Sequence, residues 1–464
     1  MNMVLVGALL FVLVILVVIT YNMLPLVKQE EQAEDTKKRI LDSQTFIYAG
    51  ILLVILLLLI CIYIYIKGTI YEGHMMEWLN IIVRLMHITF GIAWIGASFY
   101  FVFLENALNR TENVRDELAG NLWAIHGGGF YYLEKYKVAP KQIPRHLHWF
   151  KYEAYFTWLS GFCLLFIVYY FNAGSFLIDK NVLDISALQG IAIGIGSFVV
   201  AWILYDLLCR SALIKNGYLF TIIGTAILIG FAYFYAHVFN NRAAYIHFGA
   251  MLGTIMAANV FFIIIPAQKA MVKAAKEGKP LNPELGKHAG LRSLHNNYFT
   301  LPVLFVMISN HFPSTFGNAH SWVVLAVISL GAAGVKHWLN LRERGQYSVW
   351  VLPASVIILL AAAFITAPQK PTTECKPNIG IAEINRIVND RCISCHSSKP
   401  TDDLITAPPN GITYETPQQI VLLKDKIMQR VVITKTMPQN NKTNMTEDER
   451  NTMRCWIEQG AQVK

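Results

Sequence analysis

Long apolar runs leave this chain few ways to fold. Stretches able to cross a hydrocarbon core of about 30 Å lie near 3–21, 45–66, 78–104, 153–173, 185–208, 217–239, 244–266 and 319–340. Two shorter runs, 297–312 and 347–367, contain Pro302 and Pro353 and are expected to be kinked or tilted. Within lipid a spanning segment must satisfy its own backbone amides, so each run is expected to be a helix. The expectation is an all-α fold, a polytopic helical membrane domain of about ten spans. Composition agrees, because 55% hydrophobic against 15% charged residues exceeds what a soluble core needs. The net charge of +9 calls for no nucleic acid, since membrane proteins gather Lys and Arg on cytoplasmic loops. No basic residue precedes the first run, which is therefore expected to be retained rather than cleaved.

One motif stands apart from the apolar runs. Cys392-Ile393-Ser394-Cys395-His396 has the spacing by which two thiols attach a porphyrin and the next histidine binds its iron. A zinc or redox CxxC is the alternative, but zinc would want a second ligand pair and none lies nearby. Met437, followed by Pro438 in a Thr/Asn-rich loop, is the expected second axial ligand of this one covalent haem c, with Met445 in reserve; Met428 and Met453 read as packing residues. Cys375 and Cys455 flank the same region and suit a disulfide, as haem attachment of this kind occurs where disulfides persist. Cys61, Cys163 and Cys209 read as small hydrophobes.

Placing the haem outside fixes the topology. Counting back from it puts 22–44, 105–152, 209–216, 267–296 and 341–346 in the cytoplasm, where most Lys and Arg fall, while the outer connections hold only Lys67, Lys180 and Arg242. The organisation expected is an extension with two spans over 1–71, an eight-span domain over 72–367, a Pro-rich linker over 368–379 and a small periplasmic c-type cytochrome domain over 380–464. In that domain 380–391, 416–430 and 446–459 read as helices, the last capped by Thr446 and Glu449. Ile384, Ile387 and Val388 are expected to meet Met453, Trp456 and Ile457.

Histidines inside spans are costly and usually partnered. On this topology His237, His247, His311 and His320 lie near outer helix ends and His87 lies deeper, a set from which ligands for a second haem, of b type, or a metal could be drawn. The plainer reading is that each hydrogen-bonds backbone or water. A second group lies inside: His126 with the glycines 127–129, then His146, His148 and Lys151, and, entering the eighth span, Arg292, His295, Asn296, Asn297 and Tyr298. Glycines let backbone amides approach an anion, and histidine and lysine can bind or deprotonate an acidic organic substrate. A re-entrant turn with interfacial aromatics is an equal reading of the glycine segment. Gly190 with Gly194, and Gly249 with Gly253, read as helix-packing positions.

From about Met76 onward the chain resembles the bacterial membrane-bound, cytochrome c-fused urate oxidases. The resemblance rests on Glu77-Trp78-Leu79-Asn80, His87, residues 91–100, the His126 glycine run, residues 148–155, Ala257-Ala258-Asn259-Val260 with Pro266, and His295 to His311. It implies a membrane enzyme that converts urate to 5-hydroxyisourate and passes electrons to a respiratory cytochrome c or terminal oxidase. The two spans of residues 1–71 depart from that pattern. With urate as substrate, His126, Lys151 and His295 become the catalytic candidates, at the inner face of the bacterial cytoplasmic membrane. The competing readings are a non-catalytic electron-transfer or assembly subunit of a respiratory complex and, more remotely, a transporter with a redox sensor.

Overall fold

Helices dominate, as the apolar runs require. The computed structural model describes residues 64–463 apart from 66, 70, 141, 145, 368–373, 403, 404 and 406. The expected span 3–21, most of 45–66 and most of the linker lie outside the described residues. From residue 78 onward each expected span coincides with a helix: α1 (Tyr71–Ala107), α2 (Tyr152–Tyr170), α3 (Ala187–Arg210), α4 (Gly217–Ala236), α5 (Asn241–Lys276), α6 (Pro283–Ser309), α7 (Ser321–Glu343) and α8 (Val351–Ile365). Six of them, α1 to α5 and α7, are long and apolar enough to cross a membrane, and α8 is apolar but shorter. Their outward faces are oily: Leu85 and Ile92 on α1 are 64% and 68% exposed. A surface of that kind is soluble in lipid and aggregates in water, so this is a membrane protein.

Among the described residues the chain departs from all-α at one two-stranded sheet. Residues Leu118–His126 (β1) and Gly129–Tyr136 (β2) pair as an antiparallel hairpin between α1 and α2, in the segment expected to be a loop. The glycines explain it. Gly127 and Gly128 sit at φ 58° and 78°, the two consecutive left-handed positions that a tight primed turn demands, and His126 pairs across it with Gly129. The run is thus used by the chain to reverse direction.

The bundle packs around α5, whose buried residues run from Ala243 and Tyr245 through His247, Phe248, Met251 and Ile255. Phe162 and Phe166 of α2, Phe198 of α3 and Tyr235 of α4 complete this core. Two helices carry a π turn, Phe166–Tyr170 ending α2 and Asn259–Ile264 within α5. Such a turn inserts a residue into the helical ladder and re-aims the side chains beyond it.

After the linker a smaller helical unit forms from α9 (Ile381–Arg391), α10 (Pro417–Leu422) and α11 (Glu447–Glu458). Thr446 and Glu449 form the reciprocal cap of α11. Ile384, Ile387 and Val388 are buried together with Met453 and Trp456. Arg391 ties α9 to α11 through Glu449 at 2.9 Å, and Cys375 is disulfide-bonded to Cys455 with their Cα atoms 5.3 Å apart. The loop that follows Met437 hydrogen-bonds this unit to the bundle. Gln439 Nε2 donates to the Ser175 carbonyl at 2.6 Å, and Asn440 Nδ2 donates to the Ser175 and Ile178 carbonyls at 3.0 and 2.7 Å.

Close helix packing can be tested at the glycines. A methyl on Gly249 would lie 2.5 Å from Val306 Cγ1 of α6, whereas one on Gly253 would meet nothing within 4 Å. Gly249→Ala is therefore expected to destabilise the protein by about 1–3 kcal/mol through overpacking, and Gly253→Ala to leave the thermal midpoint in detergent unchanged or slightly raised.

Candidate functional site

Helices that alternate in direction bring alternate chain segments to one end of a bundle. Here the start of α1, the end of α2, the start of α5 and the residues following α6 converge on the C-terminal unit. Between them lies a cavity of about 1230 Å³. Every bundle segment that lines it is one that the charge pattern assigns to the outer side. Its far wall comes from the C-terminal unit and includes Cys392, His396, Tyr414, Met437 and Met453.

The geometry around the Cys-x-x-Cys-His motif is specific. Cys392 and Cys395 are both free thiols, while Cys375 and Cys455 are bonded to each other. Burial, with Cys395 nearby, pushes the Cys392 thiol up to about 12. His396 Nδ1 donates to the Ile412 carbonyl at 3.0 Å, which leaves Nε2 as its free nitrogen. Burial also lowers the His396 pKa, so the ring is neutral and its lone pair available at pH 7. Met437 shares the cavity with His396, and its backbone is fixed at both ends: its N–H donates to the Arg430 carbonyl at 3.0 Å, and its carbonyl accepts from Arg450 Nη1 at 2.7 Å. Met445 is buried in the unit's core and does not line the cavity. Cys392, His396 with an unused nitrogen and the Met437 thioether line one cavity, with the free Cys395 thiol three residues after Cys392, and such a donor set could hold a covalently attached haem.

The five membrane histidines do not form a set. His247 is enclosed in the core. Its Nδ1 donates to the Ala243 carbonyl at 2.8 Å and its Nε2 accepts from the Tyr170 hydroxyl at 3.0 Å, so neither nitrogen remains for a metal. His87 reaches the Thr157 carbonyl at 3.0 Å and Ser160 Oγ at 3.2 Å, in space that Gly161 leaves free. His237 donates to the Tyr233 carbonyl at 2.8 Å. His237, His311 and His320 are exposed, and of the five only His311 lines the cavity. Among the described residues, no group of three or more His, Cys, Asp or Glu side chains is placed to hold a metal ion.

Nor does the structure gather His126, Lys151 and His295. His126 is exposed at the hairpin tip. Lys151 is buried at the start of α2 with its ammonium 4.7 Å from the Tyr152 ring centre; burial and neighbouring Lys269 lower its pKa. His295 belongs to a closed polar network that the π turn of α5 completes. Its Nδ1 lies 2.8 Å from the Tyr205 hydroxyl, and Asn259 Nδ2 reaches Tyr205 at 3.1 Å and Asn296 at 2.9 Å. Arg292 joins at Asn259 and ends on Asp206 at 2.6 Å. These donors are paired with one another rather than offered to a ligand.

Among the described residues one fully buried cation of the bundle lacks such pairing. Lys336 on α7 is wholly buried, and its ammonium has no hydrogen-bond partner among the described residues; it lies 3.5 Å from the Phe99 ring centre. Asn340, one turn further on, has both amide atoms unpaired, as is Asn297 Oδ1 on α6. Sequence reading passed over Lys336, although a lysine inside the apolar run 319–340 is itself a signal.

Residues 73–367 match the model of a protein family described as urate oxidase N-terminal. This chain belongs to that family. No curated protein and no solved structure matches it. Family membership supports a urate-related oxidoreductase. The match covers α1 to α8 and ends before the C-terminal unit, so the family describes the bundle side of the cavity and not the side that carries Cys392 and His396.

The unpaired lysine makes a further test. A buried charge without a partner carries an uncompensated desolvation cost, and Lys336→Met, of similar volume, is expected to raise the thermal midpoint. Lys336→Ala, which leaves a void, is expected to lower it.

Proposed function

We propose that this protein is a membrane-bound urate oxidase whose C-terminal unit is a c-type cytochrome. The observation that carries the reading is the cavity at the end of a urate oxidase family bundle, onto which the Cys392–His396 motif and Met437 open. In the reaction urate gains the oxygen of one water and gives up two protons and two electrons, yielding 5-hydroxyisourate. A haem bound at the cavity would supply a one-electron acceptor, from which electrons would pass to a respiratory cytochrome c or terminal oxidase. Cys392 and Cys395 would hold it by thioether bonds, and His396 and Met437 would be its iron ligands. The chain's own residues organise that site: Ile412 turns His396 Nε2 toward the cavity, and Arg450 with the Arg430 carbonyl fixes the Met437 loop.

The setting proposed is the bacterial cytoplasmic membrane, with the C-terminal unit in the periplasm. Both haem attachment and the Cys375–Cys455 bridge suit an oxidising compartment, and the basic residues at the opposite helix ends, such as Lys273, Lys276, Arg342 and Arg344, suit the cytoplasm. A non-catalytic electron-transfer subunit is the second reading, favoured by the separation of His126, Lys151 and His295.

Purified anaerobic protein separates the two. Added urate is expected to reduce the c haem, each urate supplying electrons for the haems of two chains, and 5-hydroxyisourate should form in step. A haem that responds to dithionite and not to urate would leave the second reading. Replacement of Met437 by alanine is expected to lower the reduction potential and remove the sulfur-to-iron absorption band, because a thioether ligand favours the reduced iron; persistence of the band would move the ligand to Met445.

A further inference from the structure

The cavity between the bundle and the C-terminal unit is lined by more cations than anions, with Lys67, Arg84, Arg242, Arg391, Lys426 and Arg430 against Glu72 and Glu77. Arg242, in the first turn of α5, spends only Nε, which donates to Asn310 Oδ1 at 3.0 Å. Arg430 projects from the opposite wall, on the turn Met428–Ile433 of the C-terminal unit, and among the described residues its guanidinium has neither a carboxylate nor a hydrogen-bond acceptor. Arg84 of α1 is held only by the neutral Asn80, at 3.0 Å. By contrast Arg391, also at the cavity, is neutralised by Glu449. Burial, and the charge of Arg242 across the cavity, both disfavour the charged form of Arg430.

Two unpaired guanidinium groups supplied by separate parts of the chain to one enclosed space repel each other, and they are stable there when an anion lies between them. A planar guanidinium presents paired N–H donors, which match adjacent oxygen and nitrogen acceptors on a planar heterocycle as well as they match a carboxylate. We infer that Arg242 and Arg430 form the binding site for the anionic purine substrate, across the cavity that also holds Cys392, His396 and Met437. The inference rests on the urate reading above. It places substrate and electron acceptor in one space, whereas a substrate held near Lys151 and the hairpin would lie across about 30 Å of hydrocarbon from the motif. The propionate carboxylates of the proposed haem are the other source of the same anionic chemistry.

The test is urate binding to full-length, dithionite-reduced protein, in which no turnover can occur, measured by equilibrium dialysis with radiolabelled urate. Arg242→Gln and Arg430→Gln are each expected to weaken binding about tenfold or more, the loss of a charge-assisted hydrogen bond. Arg242→Lys and Arg430→Lys, which retain charge, should recover part of the affinity, as a misfolded variant would not. Lys287→Gln, an exposed lysine at the other end of the bundle, should bind as the unaltered protein does, and an equal loss there would overturn the inference as a general charge effect. Undiminished affinity in both glutamine variants would overturn it, and a lowered haem potential in those same variants would then assign the arginines to the propionates. If the unaltered protein binds no urate and its haem is not reduced by urate, the functional reading itself fails, and this substrate assignment with it.

Discussion

The absence of water inside the hydrocarbon governs this structure. Every polar group carried into the bundle must find its partner there, and the main chain does so by being helical throughout the spans. The same constraint shapes the side chains. Arg292 reaches Asp206, Asn259 bridges Tyr205 and Asn296, and His295 closes the set. That network depends on the π turn of α5, where Asn259 is buried. His247 follows the same rule with one hydrogen bond to each ring nitrogen. Against that pairing stand the buried unpaired groups of Lys336, Asn340 and Asn297, together with Glu153 Oε2, Tyr169 Oη and Ser329 Oγ.

Much of the architecture was legible because it rests on local chemistry. Apolar runs of sufficient length became helices, and the Thr446 and Glu449 pair became a reciprocal cap. The apolar stripe of Ile384, Ile387 and Val388 met Met453 and Trp456 because helical spacing puts those residues on single faces. Cys375 and Cys455, separated by 80 positions, were legible from compartment and placement at the ends of a unit. The hairpin was not, since glycine freedom serves a tight turn and an anion loop equally, and only the pairing of the flanking residues decides between them. Partner identity was also hidden. Nothing local to His247 announces Tyr170, 77 residues away.

The site shows the same division. The motif residues could be singled out from their spacing alone, because they stand within five consecutive positions. The cavity could not, because it is a property of two units in contact. Arg242 served only as an outer-side charge in the topology, and Arg430 drew no notice in a short helical turn. Their significance arises from facing one space across a boundary that no stretch of sequence contains.

That boundary has a further meaning for the loop following Met437. Gln439 and Asn440 are the residues that hold the C-terminal unit on Ser175 and Ile178, and they stand two and three positions from the methionine that faces the cavity. Attachment of the unit and orientation of that thioether are therefore one mechanical event. A motion that lifts the unit away would open the cavity and at the same moment pull on the methionine, so the grip of the joint and the setting of that thioether move together. The bundle alone, which is all that the family match covers, would be a vessel without its lid.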